Sequence, residues 1–141
     1  MKVALLLIFA IGFAACQPKA KQREAGTLPK GEPKFGIQKE IHNFGTVHAG
    51  ELLSYSFKFT NDGKSDLKID SVLAGCGCLE VSFPHEPVKA GEDNYIEVLF
   101  NSAGEVGNVL KQIRVYTNAS EKAHELIITA KVENELINIY N

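Results

Sequence analysis

From Phe35 onward the chain alternates large apolar and polar residues with a period of two. Leu53, Tyr55, Phe57 and Phe59 stand between Ser54, Ser56, Lys58 and Thr60, which puts four large side chains on one face of a half-buried strand. The alternation returns at Leu67, Ile69 and Val72, at Val81 and Phe83, at Ile96, Val98 and Phe100, and at Ile113 and Val115. It closes with Leu126, Ile128, Ala130 and Val132 set against Glu125, Ile127, Thr129 and Lys131. Turn chemistry separates the runs. Asn61-Asp62-Gly63-Lys64 is one such turn, with Gly63 free to take positive φ, and Pro84, Pro87 and Gly91 bracket an irregular stretch. No stretch between residues 35 and 135 carries a helical period. About seven short strands at this spacing predict an all-β fold, an antiparallel immunoglobulin-like β-sandwich. The turns are too short for the crossovers that parallel pairing needs. Tyr55, Phe57, Phe59, Ile96, Val98, Phe100, Val115 and Ile128 are the expected shared core.

Composition narrows the class. A chain of 141 residues, 45% of them hydrophobic, holds one domain of ordinary size once a targeting segment is removed. Such a domain buries a core without disulfides. The formal net charge of -2 supplies no basic excess for counterion release, so nucleic acid is not an expected partner. Met1 is the sole methionine, which leaves a processed chain without a thioether ligand for copper.

The N-terminal stretch reads as an address. Lys2 precedes the apolar run Val3 to Phe13, which has the length of a signal-peptide core and is short for a membrane span. It ends in Phe13-Ala14-Ala15-Cys16, which resembles a lipoprotein processing site with Cys16 as the lipidated residue. Residues 1–15 are the expected signal peptide. Residues 16–34 are the expected lipidated cysteine and flexible tether, because Pro18, Gly26, Pro29, Gly31 and Pro33 are scattered through charged residues with no apolar period. Residues 35–133 form the expected domain and 134–141 a C-terminal tail. Gln17 rather than Asp after the cysteine, with no acidic cluster following, points to an outer-membrane anchor with the domain facing the periplasm.

Ordered motifs along the domain resemble a known family. They are Phe44-Gly45-Thr46-Val47 with Gly50-Glu51, Phe57-Lys58-Phe59-Thr60-Asn61 with Gly63, and Leu67-Lys68-Ile69. Cys76-Gly77-Cys78, Gly91-Glu92, Ile96-Glu97-Val98-Leu99-Phe100 and Lys111 through Asn118 complete the set. Together they resemble the bacterial family called domain of unknown function 1573, itself similar to Hydin-like and major-sperm-protein-like sandwiches. The resemblance implies an Ig-like sandwich in an extracytoplasmic, often lipoprotein, setting, and no settled activity. Leu79 stands where Thr commonly follows the second cysteine, and Ala90 stands where a Pro commonly precedes Gly91-Glu92.

The chemistry concentrates in Ala74-Gly75-Cys76-Gly77-Cys78. Residues i and i+2 of an extended strand share a face with Cα atoms roughly 6.5 Å apart. A disulfide there requires a bend, for which Gly75 and Gly77 are placed. Three readings stand: a disulfide or redox couple, a thiolate clamp for Cu(I), and two small buried hydrophobes. Closing so short a loop contributes little stability, which turns a real bridge toward redox or metal chemistry. His85 is a possible third soft-metal ligand, and its other reading is an exposed loop residue. His42, His48 and His124 read as surface residues. Asp70-Ser71-Val72 makes Ser71 a possible O-glycosylation site. No catalytic motif is present in the sequence. The expected function is therefore a non-enzymatic lipid-anchored binding or scaffold module with no cofactor and a protein partner whose identity the chain does not give. The alternative is a thiol redox or Cu(I)-handling protein acting through Cys76 and Cys78.

Overall fold

The computed structural model describes residues 31–134. These form eight strands: β1 (Phe35–Ile37), β2 (Ile41–His48), β3 (Leu52–Asn61), β4 (Ile69–Ala74), β5 (Leu79–Ser82), β6 (Asp93–Asn101), β7 (Gly107–Thr117) and β8 (Ser120–Glu133). One sheet has the order β1-β3-β6-β5 and the other β2-β8-β7-β4. The two pack face to face as the sequence pattern predicts. Eight strands replace about seven because the first apolar segment is divided: β1 pairs with β3 in one sheet, and the chain then crosses to lay β2 against β8 in the other.

The β2–β8 pair is parallel, Ile41↔Ile127 through His48↔Glu133, and this departs from the expected all-antiparallel pairing. The crossover that a parallel pair requires is supplied by the five strands lying between β2 and β8 in sequence, not by a local turn. The register shifts between Asn43 and Thr46, where Gly45 takes φ +76° and donates its N–H to Asn43 Oδ1 at 2.8 Å. Such a bulge bends an edge strand.

Alternation along each strand delivers the core. Phe57, Phe59, Ile96, Val98, Phe100, Val115 and Ile128 are buried and Tyr55 packs against them, so the predicted residues share one cluster. Phe35 stacks on Phe59 at 5.0 Å, and Tyr55 meets Phe57 edge-on at 4.8 Å.

The turn after β3 works differently from its sequence reading. Asn61 is wholly buried. Its Nδ2 donates to Ser65 O at 2.7 Å and to Val88 O at 2.9 Å, and its Oδ1 accepts from Gly63 N at 3.0 Å and Lys34 N at 3.3 Å. Every donor and acceptor site of the amide is thereby used. Gly63 lacks the positive φ expected of it. What requires glycine is close approach: a Cβ there would sit 2.5 Å from Glu32 O and from Lys34 N. The neighbouring backbone bonds Lys64 N→Glu32 O and Asp62 N→Lys34 O, both 2.9 Å, carry the β1–β3 ladder into residues expected to be tether. At the other end Ser102, also buried, donates from its hydroxyl toward His48 O and Glu51 O and accepts from Glu51 N at 2.9 Å.

Two histidines are not the surface residues the sequence suggested. His124 is half-buried with its ring 4.6 Å from that of Phe35, and its buried Nε2 meets no partner among the described residues. Burial holds its pKa below the ordinary 6.5, against an opposing pull from Glu40. His42 stacks on Tyr55 at 3.6 Å, and burial, then the Lys39 ammonium, depresses its pKa too.

Two outcomes follow for stability. Asn61→Ala leaves several buried backbone groups unbonded and should lower unfolding free energy by about 3–5 kcal/mol in urea titration. The His124 case has a defined sign. The unfolded chain binds the proton more tightly than the folded one, so stability is full above about pH 6.5 and falls as pH drops through that value, levelling off below the depressed folded pKa. Replacing His124 with Phe, which suits the ring of Phe35, should reduce the fall of the unfolding midpoint between about pH 7 and pH 5, leaving the part that His42 contributes.

Candidate functional site

The two cysteines lie where the chain leaves β4 in one sheet and enters β5 in the other. Three backbone hydrogen bonds fix this crossover. Gly75 N donates to Gln112 O at 3.0 Å in the sheet of β7, Asn101 N donates to Cys78 O at 2.9 Å in the sheet of β6, and Leu79 N closes the turn on Cys76 O at 3.4 Å. The segment is thus fastened to both layers of the sandwich. Cys76 and Cys78 are joined by a disulfide with their Cα atoms 5.2 Å apart, closer than the extended spacing because the chain turns at Gly77. Both are half-buried and pack on the core, so the pair is neither fully solvated nor sealed.

The two glycines have unequal roles. A Cβ on Gly75 would lie 2.8 Å from Gln112 O, so the close approach of two backbones demands glycine. A Cβ on Gly77 would meet nothing within 4 Å, and neither residue adopts positive φ. The expectation that both supply backbone freedom is corrected accordingly: steric clearance at Gly75 is what the site needs.

His85 lies outside this site. It is exposed on the loop after β5, its ring tilted 5.1 Å from that of Phe83. Among the described residues no three His, Cys, Asp or Glu side chains gather at metal-binding range. Ser71 is exposed on β4 beside its ladder partner Tyr116. Cys16 lies outside the described residues.

Sequence reasoning passed over a second locality. The β3 side chain of Tyr55 is covered by His42 from β2, with Phe44 edge-on to His42 at 4.5 Å. Lys39 completes it, 3.4 Å from His42 Nδ1 and 5.1 Å from the Tyr55 ring centroid. A cavity of about 220 Å³ opens beside it, lined by Gln38, Lys39, Tyr55, Ser56 and Lys58 among others. The signal available in the sequence was Lys39 and His42 at a spacing of three, just before an alternating strand.

Fold and crossover together define an immunoglobulin-like β-sandwich whose two layers are linked by a Cys-Gly-Cys turn. The chain belongs to the family described as protein of unknown function DUF1573, whose model matches residues 35–132. Among curated proteins none matches its sequence. A protein of unknown function from Porphyromonas gingivalis W83 is similar in structure at 16% identity and TM-score 0.61, over 78% of this chain and 51% of that one. The PapD-like domain 7 of human CEP192 is similar at 10% identity and TM-score 0.61, over 93% of this chain and 99% of that one. The VesB protease of Vibrio cholerae is similar at 14% identity and TM-score 0.53, over 72% of this chain and 32% of that one. This chain therefore spans about half of the first protein and a third of the protease. At these identities the likeness is one of fold.

The unequal glycines give a direct check. Gly75→Ala should destabilise the domain by about 1–3 kcal/mol, because backbone must move to admit the methyl group. Gly77→Ala should be neutral or slightly stabilising, by reducing the freedom of the unfolded chain. Urea unfolding of both variants reads the difference.

Proposed function

We propose that this chain is a non-enzymatic periplasmic lipoprotein in which the sandwich serves as a binding or scaffold module. Residues 1–15 act as signal peptide, Cys16 takes the lipid and anchors the chain to the outer membrane, and the following segment tethers the domain in the periplasm. The observation that carries this reading is the fastening of the domain's N-terminal entry. Glu32 and Lys34 are laddered to Lys64 and Asp62, and Lys34 is bonded again to the buried Asn61 amide. A tether arriving there pulls on a hydrogen-bonded ladder, not on a loose loop. A folded surface is thereby held at a distance from its anchor, with sheet edges available for a partner. Ser71, exposed on an edge strand, is the candidate O-glycosylation site in this setting.

A second reading has one observation in its favour. The Cys76–Cys78 bridge spans so few residues that loop closure accounts for only about 1.6 kcal/mol, roughly half of what a 15-residue loop gives. A link that contributes so little stability suits a redox couple, or a thiolate pair that takes Cu(I) when reduced.

Anchoring is tested by labelling cells with a fatty-acid analogue. The chain should take up label, and Cys16→Ala should abolish it, since alanine has no thiol to accept the lipid. Label retained in that variant would remove the lipoprotein reading.

A further inference from the structure

β3 has ten residues but unequal neighbours. Along one side it pairs with β6 from Leu52↔Asn101 to Thr60↔Asp93. Along the other only Phe59, Thr60 and Asn61 face a partner, the three-residue β1. The chain then leaves for the opposite sheet, and among the described residues no strand continues beside Leu52 to Lys58.

Flanking hydrogen bonds show which backbone groups line that open side. Asn61 N donates to Glu92 O and Ser102 N donates to Glu51 O, so odd-numbered residues of β3 turn their backbone groups toward β6. Asp62 N donates to Lys34 O and Lys64 N to Glu32 O, so even-numbered residues turn theirs toward β1. Ser54 and Ser56 therefore aim an N–H and a C=O each at the open edge, in antiparallel strand geometry. Their side chains are short, and neither a proline nor a bulge interrupts β3 there. Proline and bulges are devices by which proteins block edges, and among the described residues this stretch carries neither, its charges being Lys58 and the neighbouring Lys39.

The core beneath the edge is already closed. His42 stacked on Tyr55 seals the seam between the sheets, so an added strand need not complete the core. The cavity of about 220 Å³ runs along this edge where β1 stops. Two lysines and no carboxylate line it. Lys58 is engaged by Asp93 at 2.6 Å. Lys39 is exposed, and its contacts are two rings, His42 and Tyr55. Among the described residues, its ammonium is the one of the two that no carboxylate engages.

We propose that the open edge of β3 is a strand-acceptor site, and that its occupant is an extended acidic peptide segment of a partner protein. Main-chain bonds to Ser54 and Ser56 hold the segment as a fifth strand of the β1-β3-β6-β5 sheet, in place of the missing continuation of β1. A carboxylate side chain reaching Lys39 fixes its register and sign of charge. This inference rests on the binding-module reading and gives it a partner chemistry.

Residue-resolved hydrogen exchange on the full-length chain tests it, with a capped nonapeptide of alternating valine and glutamate as probe. The peptide should slow exchange at Ser54 and Ser56 by about tenfold, with smaller changes at Tyr55 and Phe57, whose amides already face β6. Lys39→Glu should weaken peptide binding about fivefold, and a probe with lysine in place of glutamate should be weaker by a similar factor. Ser56→Pro removes an open-edge donor without touching the β6 ladder and should abolish the slowing; if it fails to fold, Lys39→Glu and the lysine probe decide alone. No slowing at Ser54 and Ser56, equal slowing by both probes, or slowing at β2 or β4 instead would overturn the proposal. Protection that rises with protein concentration alone would also overturn it, by making a second copy the occupant. Failure of the Cys16 labelling experiment would leave this edge untouched, and failure here with Cys16 labelled would leave the tethered module standing without this partner.

Discussion

The side-chain amide of Asn61 holds one end of the sandwich together. Its four bonds reach the N-terminal entry at Lys34, the turn at Gly63, the segment at Ser65 and the loop carrying Val88. Its own backbone adds Glu92 and Gly91. Lys34 and Val88 each lie 27 residues from Asn61 in sequence, and each piece would leave a buried polar group unbonded if it came away alone. They therefore form or fail as a unit. Val88 in turn pairs with Leu67 in both directions, at 2.8 and 2.9 Å, which closes the loop over the core. Ser102 does similar work at the opposite end, tying the β2–β3 turn to the end of β6. Between these two polar ties the apolar faces of the sheets supply the bulk of the stabilisation.

Rigid ends explain why the interesting chemistry falls on the flanks. On one flank the Cys-Gly-Cys turn joins β4 to β5 and is bonded to both sheets, so the disulfide sits in a frame fixed by both layers. On the other flank the change of sheet between Ile37 and Ile41 ends β1 early and, among the described residues, leaves Leu52 to Lys58 of β3 with β6 as its one neighbour. The first flank is closed by a covalent link and the second by stacked rings of His42 and Tyr55. Both the thiol reading and the strand-acceptor reading depend on how the sandwich treats its edges, which a fold likeness at 10–16% identity leaves open.

Local periodicity made much of the fold legible. The alternation in β3 and β6 identified Phe57, Phe59, Ile96, Val98 and Phe100 as core, because a period of two admits one inward face. What local pattern misses is contact between distant segments. Nothing near Asn61 marks it as buried, since Asn-Asp-Gly is turn chemistry on any local reading. Gly63 and Gly75 look like flexible residues, and their reason is backbone passing close by from residues 32–34 and 112. The parallel pairing of β2 with β8 is likewise a long-range event. At the candidate site, spacing put Cys76 and Cys78 within reach of a disulfide but left two other readings open, and among the described residues His85 joins them in no three-ligand cluster.

The central functional claim is that this domain acts through its surface and not through its sulfurs. Cross-linking in intact cells, comparing the native chain with the Cys76→Ser/Cys78→Ser variant, tests it most directly. The account predicts that the same proteins are captured in both, at similar yield, while the variant stays folded by circular dichroism. Loss of the captured partners in a folded variant would contradict it and place the function in the thiol pair.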